Sequence, residues 1–215
     1  MNLEERIEAF RRKFLSQVPD EIQQMMRGAE TRLAESGAAQ RAVKTGDQAP
    51  GFALPNAHGQ MVSSRELLAK GPVVLSFYRG DWCPYCNLEL KALQERVAEI
   101  EALGARLVAV SPQMPDATTD TATRNNLTFE VLSDTGNSVA KSFGLDFELA
   151  KELRPIYKSW GADLEKLNGD PPFSLPMAAT YVIGRDGTII ESFVDPDYTK
   201  RMEPQAILDV LERRT

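Results

Sequence analysis

Two residues carry the reactive chemistry of this 215-residue chain, Cys83 and Cys86, and they are its only cysteines. They lie in Cys83-Pro84-Tyr85-Cys86, two thiols separated by two residues. A thiol attacks only as thiolate, and the unpaired N–H groups at a helix N-terminus favour negative charge. In Cys-x-x-Cys motifs so placed the thiol pKa falls from about 8.5 into roughly the 3.5–7.5 range. The spacing keeps both sulfurs within one helical turn, where they can join as a disulfide and be released again. A structural zinc site needs four ligands, and His58 is the only histidine. Redox chemistry is therefore the reading of the pair.

The elements on either side must hold the motif. Val73 to Tyr78 is an apolar and aromatic run bounded by Gly71-Pro72 and Gly80, which reads as a buried strand. From Cys86 an apolar stripe begins, with Leu90, Leu93, Val97 and Ile100 at helical steps. Pro84 suits a first helical turn, where its missing N–H costs nothing. The motif thus sits where a central strand hands over to a helix. In such a turn the first thiol is expected to be exposed and the second buried.

At 42% hydrophobic residues the chain can bury a core in one domain with an appendage. A net charge of −6 without a basic block argues against nucleic acid and against an anionic membrane surface. No stretch approaches the ~18 apolar residues of a membrane span, and Met1 to Arg6 lacks signal-peptide character. A soluble cytoplasmic protein is the expectation.

Residues 1–40 read as an N-terminal helical pair. Leu3, Ile7, Phe10 and Phe14 share one face, and Ile22, Met25, Met26, Ala29 and Leu33 another. Their apolar faces require cover from the main domain or from a second copy in a homodimer. Residues 43–215 form the main domain. Val43 to Gln60 is turn-rich, with His58 a solvated turn residue. A short helix follows at Ser63 to Leu68, then the central strand and its helix. Arg106–Ser111 and Phe129–Ser133 read as strands, Asp116–Asn126 and Asn137–Phe143 as helices. A polar insert from Asp146 to Pro172 has Leu149, Leu153, Ile156, Tyr157, Trp160 and Leu164 at helical spacing. A hairpin turning at Gly184 to Gly187 and a closing helix from Pro204 end the chain. This order predicts an α/β fold, a mixed central sheet with helices on both faces. The motif would stand at the C-terminal edge of a parallel strand.

Several motifs together resemble the peroxiredoxin family, the alkyl hydroperoxide reductase and thiol-specific antioxidant group. Gly46-Asp47-Gln48-Ala49-Pro50-Gly51-Phe52-Ala53-Leu54 is similar to its G-x-x-A-P-x-F-x-L entry. Phe77 to Leu90 resembles the active-site turn of a branch that carries Cys-x-x-Cys, and Val131 to Asp134, Ala179 to Ile183 and Asp186-Gly187 follow in the family's order. The likeness runs from about Val43 to Thr215 and implies a thioredoxin-like fold.

Counted from Tyr78 without gaps, Arg79 stands where the family has Pro, Cys83 where it has Thr or Ser, and Cys86 where it has the peroxidatic cysteine. The family's later Arg has no counterpart in Met177, Ala178, Ala179 and Thr180. Arg79 is the candidate replacement, and Arg201 a weaker one that reads better as a surface residue. Trp82-Cys83-Pro84-Tyr85-Cys86 is also similar to thioredoxin and glutaredoxin sites, where the first cysteine attacks. Pro176 lies two residues before the place of their cis-proline and is the candidate for that role. Exposure and the helix terminus favour Cys83 as nucleophile, and the peroxiredoxin register favours Cys86; Cys83 is preferred.

The resemblance implies hydroperoxide reduction through a dithiol/disulfide cycle, with Trp82 and Tyr85 walling the substrate pocket. A thioredoxin- or glutathione-type donor would restore the thiols, and no metal or organic cofactor is implied. A protein-disulfide oxidoreductase is the alternative, and a redox-sensing interaction protein a third.

Overall fold

The computed structural model describes residues 1–213; Arg214 and Thr215, the last two residues of the expected main domain, lie outside it. The chain opens with helices α1 (Leu3–Leu15), α2 (Asp20–Glu35) and α3 (Ala38–Arg41). A small hairpin of β1 (Ala53–Pro55) and β2 (Met61–Ser63) leads into α4 (Ser64–Lys70) and the central strand β3 (Val73–Phe77). The helix expected after the motif is broken at Arg96 into α5 (Pro84–Glu95) and α6 (Val97–Ala102). Then come β4 (Arg106–Ser111), α7 (Pro115–Arg124), β5 (Glu130–Ser133) and α8 (Ser138–Ser142).

The stretch expected as a polar insert differs from its prediction. Its apolar residues do not share one helix. The segment holds strand β6 (Asp146–Glu148), a 3₁₀ turn at Lys151–Leu153 with Leu153, and two short helices, α9 (Arg154–Ser159) with Ile156 and Tyr157 and α10 (Leu164–Leu167) with Leu164, while Leu149 and Trp160 lie between these elements. Pro155 at the start of α9 and Gly161 just after it interrupt any longer run. Strand β7 (Ser174–Pro176) pairs back onto β6, and β8 (Ala179–Ile183), β9 (Ile189–Val194) and α11 (Pro204–Glu212) close the chain.

Five strands form the central sheet in the order β5-β4-β3-β8-β9. β3, β4 and β5 run parallel, and β8 and β9 antiparallel. Every residue of β3 is buried, as expected for a strand covered on both faces. Its side chains alternate. Val74, and Tyr78 just beyond the strand, join the layer of α1, α5, α6 and α11, whereas Val73, Leu75 and Phe77 join the layer of α4 and α8.

The N-terminal helices find their cover within the chain. Leu3 and Ile7 belong to the same buried cluster as Cys83, Cys86, Leu90 and Leu93. Met26 of α2 packs with Leu149, Leu153 and Tyr157 of the insert. The start of α1 is capped twice. Asn2 and Glu5 form a reciprocal capping box, and the carboxylate of Glu203 accepts from the N–H groups of Leu3 (3.2 Å) and Glu4 (2.7 Å).

Candidate active site

Chain direction alone places the motif. Strand β3 ends at Phe77, the backbone turns through Gly80, and Cys83 takes the N-cap position of α5 with extended dihedrals (φ −89°, ψ 110°). Pro84 follows in the first turn. Gly80 has φ 147°, and a Cβ there would stand 2.3 Å from Nε1 of Trp82. Glycine is therefore required for Trp82 to fold back over the turn. Polar groups hold the turn from the other side. Asp81 receives Gln113 Nε2 (2.7 Å) and Arg124 Nη1 (2.8 Å), and Asn87 Nδ2 donates to the Asp81 carbonyl (2.6 Å).

Both cysteines are free thiols, and both are buried. Cys83 is only 1% exposed, which corrects the expectation that the first thiol lies open; α1, α2 and the insert cover it. The two sulfurs nevertheless have different surroundings. Burial alone would push the Cys83 thiol up. Hydrogen bonding from the Cys86 thiol and the charges of Arg79 and Arg201 outweigh it and bring the pKa to about 6. The Cys86 thiol moves the other way, raised by burial and by the neighbouring Cys83 sulfur. One proton is thus held on Cys86 while Cys83 ionises.

Arg79 is 2% exposed and lies against three aromatic rings: Trp82 at 5.0 Å, Tyr157 at 5.5 Å and Tyr198 at 4.4 Å from the guanidinium carbon. Nη2 donates to the Tyr157 hydroxyl (3.0 Å), and Nε has no partner. Its charge therefore remains available to a thiolate or an oxygen ligand.

Arg201 is not the surface residue expected. Its side chain is 2% exposed; Nε donates to Glu89 (2.7 Å) and Nη2 approaches Cys86 Sγ at 3.5 Å. It also donates to the Tyr198 and Lys200 carbonyls. Glu89 lies three residues beyond Cys86 on α5 and so shares its face. Burial pushes its carboxyl up to about 7 against the pull of Arg201. Thr180 of β8 donates to it as well (3.4 Å). Sequence reasoning missed Glu89, although its spacing from Cys86 could have flagged it.

A cavity of about 400 Å³ borders Cys83. Its wall is a continuous chain of ring contacts: Trp82 on Tyr157, Tyr157 on Trp160, Trp160 on Phe14, Phe14 on Phe10, Phe10 on Tyr85 and Tyr85 on Tyr198. Arg79, between Tyr198 and Trp82, closes the circle. Trp82 and Tyr85 thus occupy the wall expected of them. Pro176 does not. It lines a separate cavity with Arg79, Met177 and Ala178, and its peptide bond is trans; the one cis bond among the described residues is Asp170–Pro171. In the β6–β7 ladder Pro176 pairs with Asp146. His58 lies in the β1–β2 turn, its N–H bonded to Asn56.

Among the described residues no helix is long and apolar enough to cross a membrane, and no cluster of three metal-ligating side chains occurs.

The arrangement has relatives. A family model for the AhpC/TSA family matches residues 45–192. The thiol-disulfide oxidoreductase ResA of Halalkalibacterium halodurans is 31% identical over 103 residues, 47% of this chain and 57% of its own. The chloroplastic peroxiredoxin Q of Gentiana triflora is 26% identical over 167 residues, 78% of this chain and 64% of its own. These matches span less than two thirds of either relative's length. Among solved structures, the peroxidoxin BcpB of Mycobacterium tuberculosis superposes with a TM-score of 0.63 at 24% identity, covering 80% of this chain and 99% of that one. That likeness is one of fold, thioredoxin-like with a mixed sheet. With more than half its length matched by the family model, the chain belongs to the AhpC/TSA family.

Proposed function

We propose that this protein reduces hydroperoxides by a dithiol/disulfide cycle in which Cys83 attacks and Cys86 resolves. The observation that carries the reading is the split between the thiols: Cys83 brought down to about 6 beside the buried Arg79, Cys86 raised and still protonated. The Cys83 thiolate attacks one oxygen of the peroxide. The S–O bond forms as the O–O bond breaks, and the other oxygen leaves with the electron pair, to be protonated to alcohol or water. Arg79 offsets the charge on that leaving oxygen. Cys86 then attacks the Cys83 sulfenic acid, with Arg201 favouring its thiolate, and water leaves as the disulfide forms. A thiol reductant of thioredoxin or glutathione type restores both thiols by exchange.

A second reading, reduction of protein disulfides, draws on the likeness to ResA. The burial of Cys83 weighs against it, because a protein disulfide must reach the attacking sulfur. Stopped-flow oxidation of the reduced protein by hydroperoxide, alongside Cys83→Ser and Cys86→Ser, separates the two. The peroxidase reading expects oxidation about a thousandfold faster than that of a free thiol, lost in Cys83→Ser. Cys86→Ser should oxidise as fast and stop at sulfenic acid, seen as a 16-Da gain by mass spectrometry. Oxidation no faster than free cysteine, with rapid oxidation by a protein disulfide, makes the protein a disulfide oxidoreductase.

A further inference from the structure

We propose that the N-terminal helices and the insert make this site selective for hydroperoxides carrying an aromatic group, with Phe10, Phe14 and Trp160 as specificity-determining residues. The proposal rests on the peroxidase reading above and names its substrate class.

Three observations point the same way. The cavity on Cys83 is about 400 Å³, whereas a molecule the size of water or hydrogen peroxide occupies roughly 30–40 Å³. Hydrogen peroxide would share that space with water held against ring faces, gaining little from the wall. The wall is also chemically uniform. Beyond Cys83, the tyrosine hydroxyls and the indole N–H groups of Trp82 and Trp160, its one polar side chain is Gln17, and the Tyr157 hydroxyl already accepts from Arg79. Such a surface rewards an apolar guest, and ring edges and faces at mixed angles suit an aromatic one. Phe10 meets Tyr85 at 89° and Phe14 meets Trp160 at 82°, so the wall is built of edge-to-face pairs.

The third observation is the origin of the selectors. Phe10 and Phe14 precede the matched family segment, residues 45–192, and Trp160 belongs to the insert. Phe10 packs on Tyr85, Phe14 on Phe10 and Trp160, and Trp160 on Tyr157, so the three join the wall through ring contacts with one another and with the motif's own tyrosine. Trp160 lines the cavity and is 45% exposed, so it stands at the rim. An aryl hydroperoxide would place its ring among these residues and its terminal oxygen on the Cys83 sulfur. The terminal oxygen goes to the sulfenic acid, and the oxygen next to carbon departs, once protonated, as the alcohol.

The test is single-turnover oxidation of the reduced full chain, quenched and read by mass spectrometry, with cumene hydroperoxide and hydrogen peroxide compared. The expected second-order rate constant is at least about tenfold higher for cumene hydroperoxide. Phe10→Ala/Phe14→Ala should lose about tenfold with cumene hydroperoxide and less than about threefold with hydrogen peroxide. Trp160→Ala, at the exposed rim, should lose about threefold with cumene hydroperoxide alone, and decides the matter if the double variant melts early by circular dichroism. Equal or faster oxidation by hydrogen peroxide in the wild type overturns the proposal, as does an equal loss for both peroxides in the variants. If neither peroxide outpaces its reaction with free cysteine, the peroxidase reading fails and this proposal with it.

Discussion

Two sulfurs three residues apart sit in opposite electrostatic settings. Cys83 borders a cavity of rings, and the buried guanidinium of Arg79, stacked on three of those rings, forms no ion pair among the described residues. Cys86 faces a guanidinium, Arg201, that is already paired with buried Glu89. A free charge can act on a thiolate and its departing oxygen; a neutralised one can orient a sulfur without strongly ionising it. Helix position alone does not separate the two thiols, because both lie in the first turn of α5 or at its cap. The companion charges do.

The most damaging way to break this contrast is to remove Arg201. Arg201→Met leaves Glu89 buried without its partner, and urea unfolding should show a loss of about 3–5 kcal/mol. Glu89→Gln together with Arg201→Met should recover part of it, since the pair as a whole costs desolvation. An unchanged midpoint in the single variant would mean that water reaches Glu89 and that the pair is not a closed unit.

The next test acts on the Cys83 side. Gly80→Ala forces a Cβ into the Trp82 ring at a φ of 147°, which should cost about 1–3 kcal/mol and shift Trp82 fluorescence. A native emission spectrum would show that the ring is not held by the glycine.

A pH series then sharpens the comparison. With burial outweighed by the Cys86 hydrogen bond and by Arg79, the Cys83 thiol is brought down to about 6, so alkylation by iodoacetamide, which needs the thiolate, should be about tenfold slower at pH 5 than at pH 8. The sign is that of a depressed thiol: reactivity is full above about pH 6 and lost below it. Arg79→Met should move the inflection upward, and Arg201→Met should move it less, because Arg79 contributes more to the lowering. An inflection near 8.5 in the wild type would remove the asymmetry altogether.

The smallest effect belongs to the surface. Arg6 and Glu95 tie α1 to α5 at 2.7 Å with both side chains partly exposed. Arg6→Ala should cost less than about 1 kcal/mol and leave the Cys83 inflection in place. A shift of that inflection would show that the seating of α1 tunes the thiol.

These regions were unequally legible in the sequence. Strand β3 announces itself because both its faces are buried and every residue is apolar or small. The β8–β9 hairpin follows from Asp186-Gly187 between β-rich runs. The strand-to-helix handover that places the cysteines is written in one contiguous segment. The partners of the cysteines are not. Arg201 reaches Glu89 across 112 positions and Arg79 reaches Tyr157 across 78, so no local spacing relates them. Arg201 and Tyr198 also fall outside residues 45–192, where family likeness can guide the eye. Burial of Cys83 was misread for the same reason: the helices and insert that cover it are distant in the chain, and a strand-helix turn taken alone would leave the first thiol open.

The capping of α1 by Glu203 has a consequence for synthesis. Helix α1 waits for a residue two hundred positions later before its leading amides are satisfied. Leu3 and Ile7 likewise pack in one cluster with Ile207, Leu208 and Leu211 of α11. A nascent chain can assemble its strands in order, but the aromatic wall over Cys83 hangs on a helix that docks only once Glu203 and α11 have been made. Cys83 is therefore less shielded until α11 is in place beneath α1.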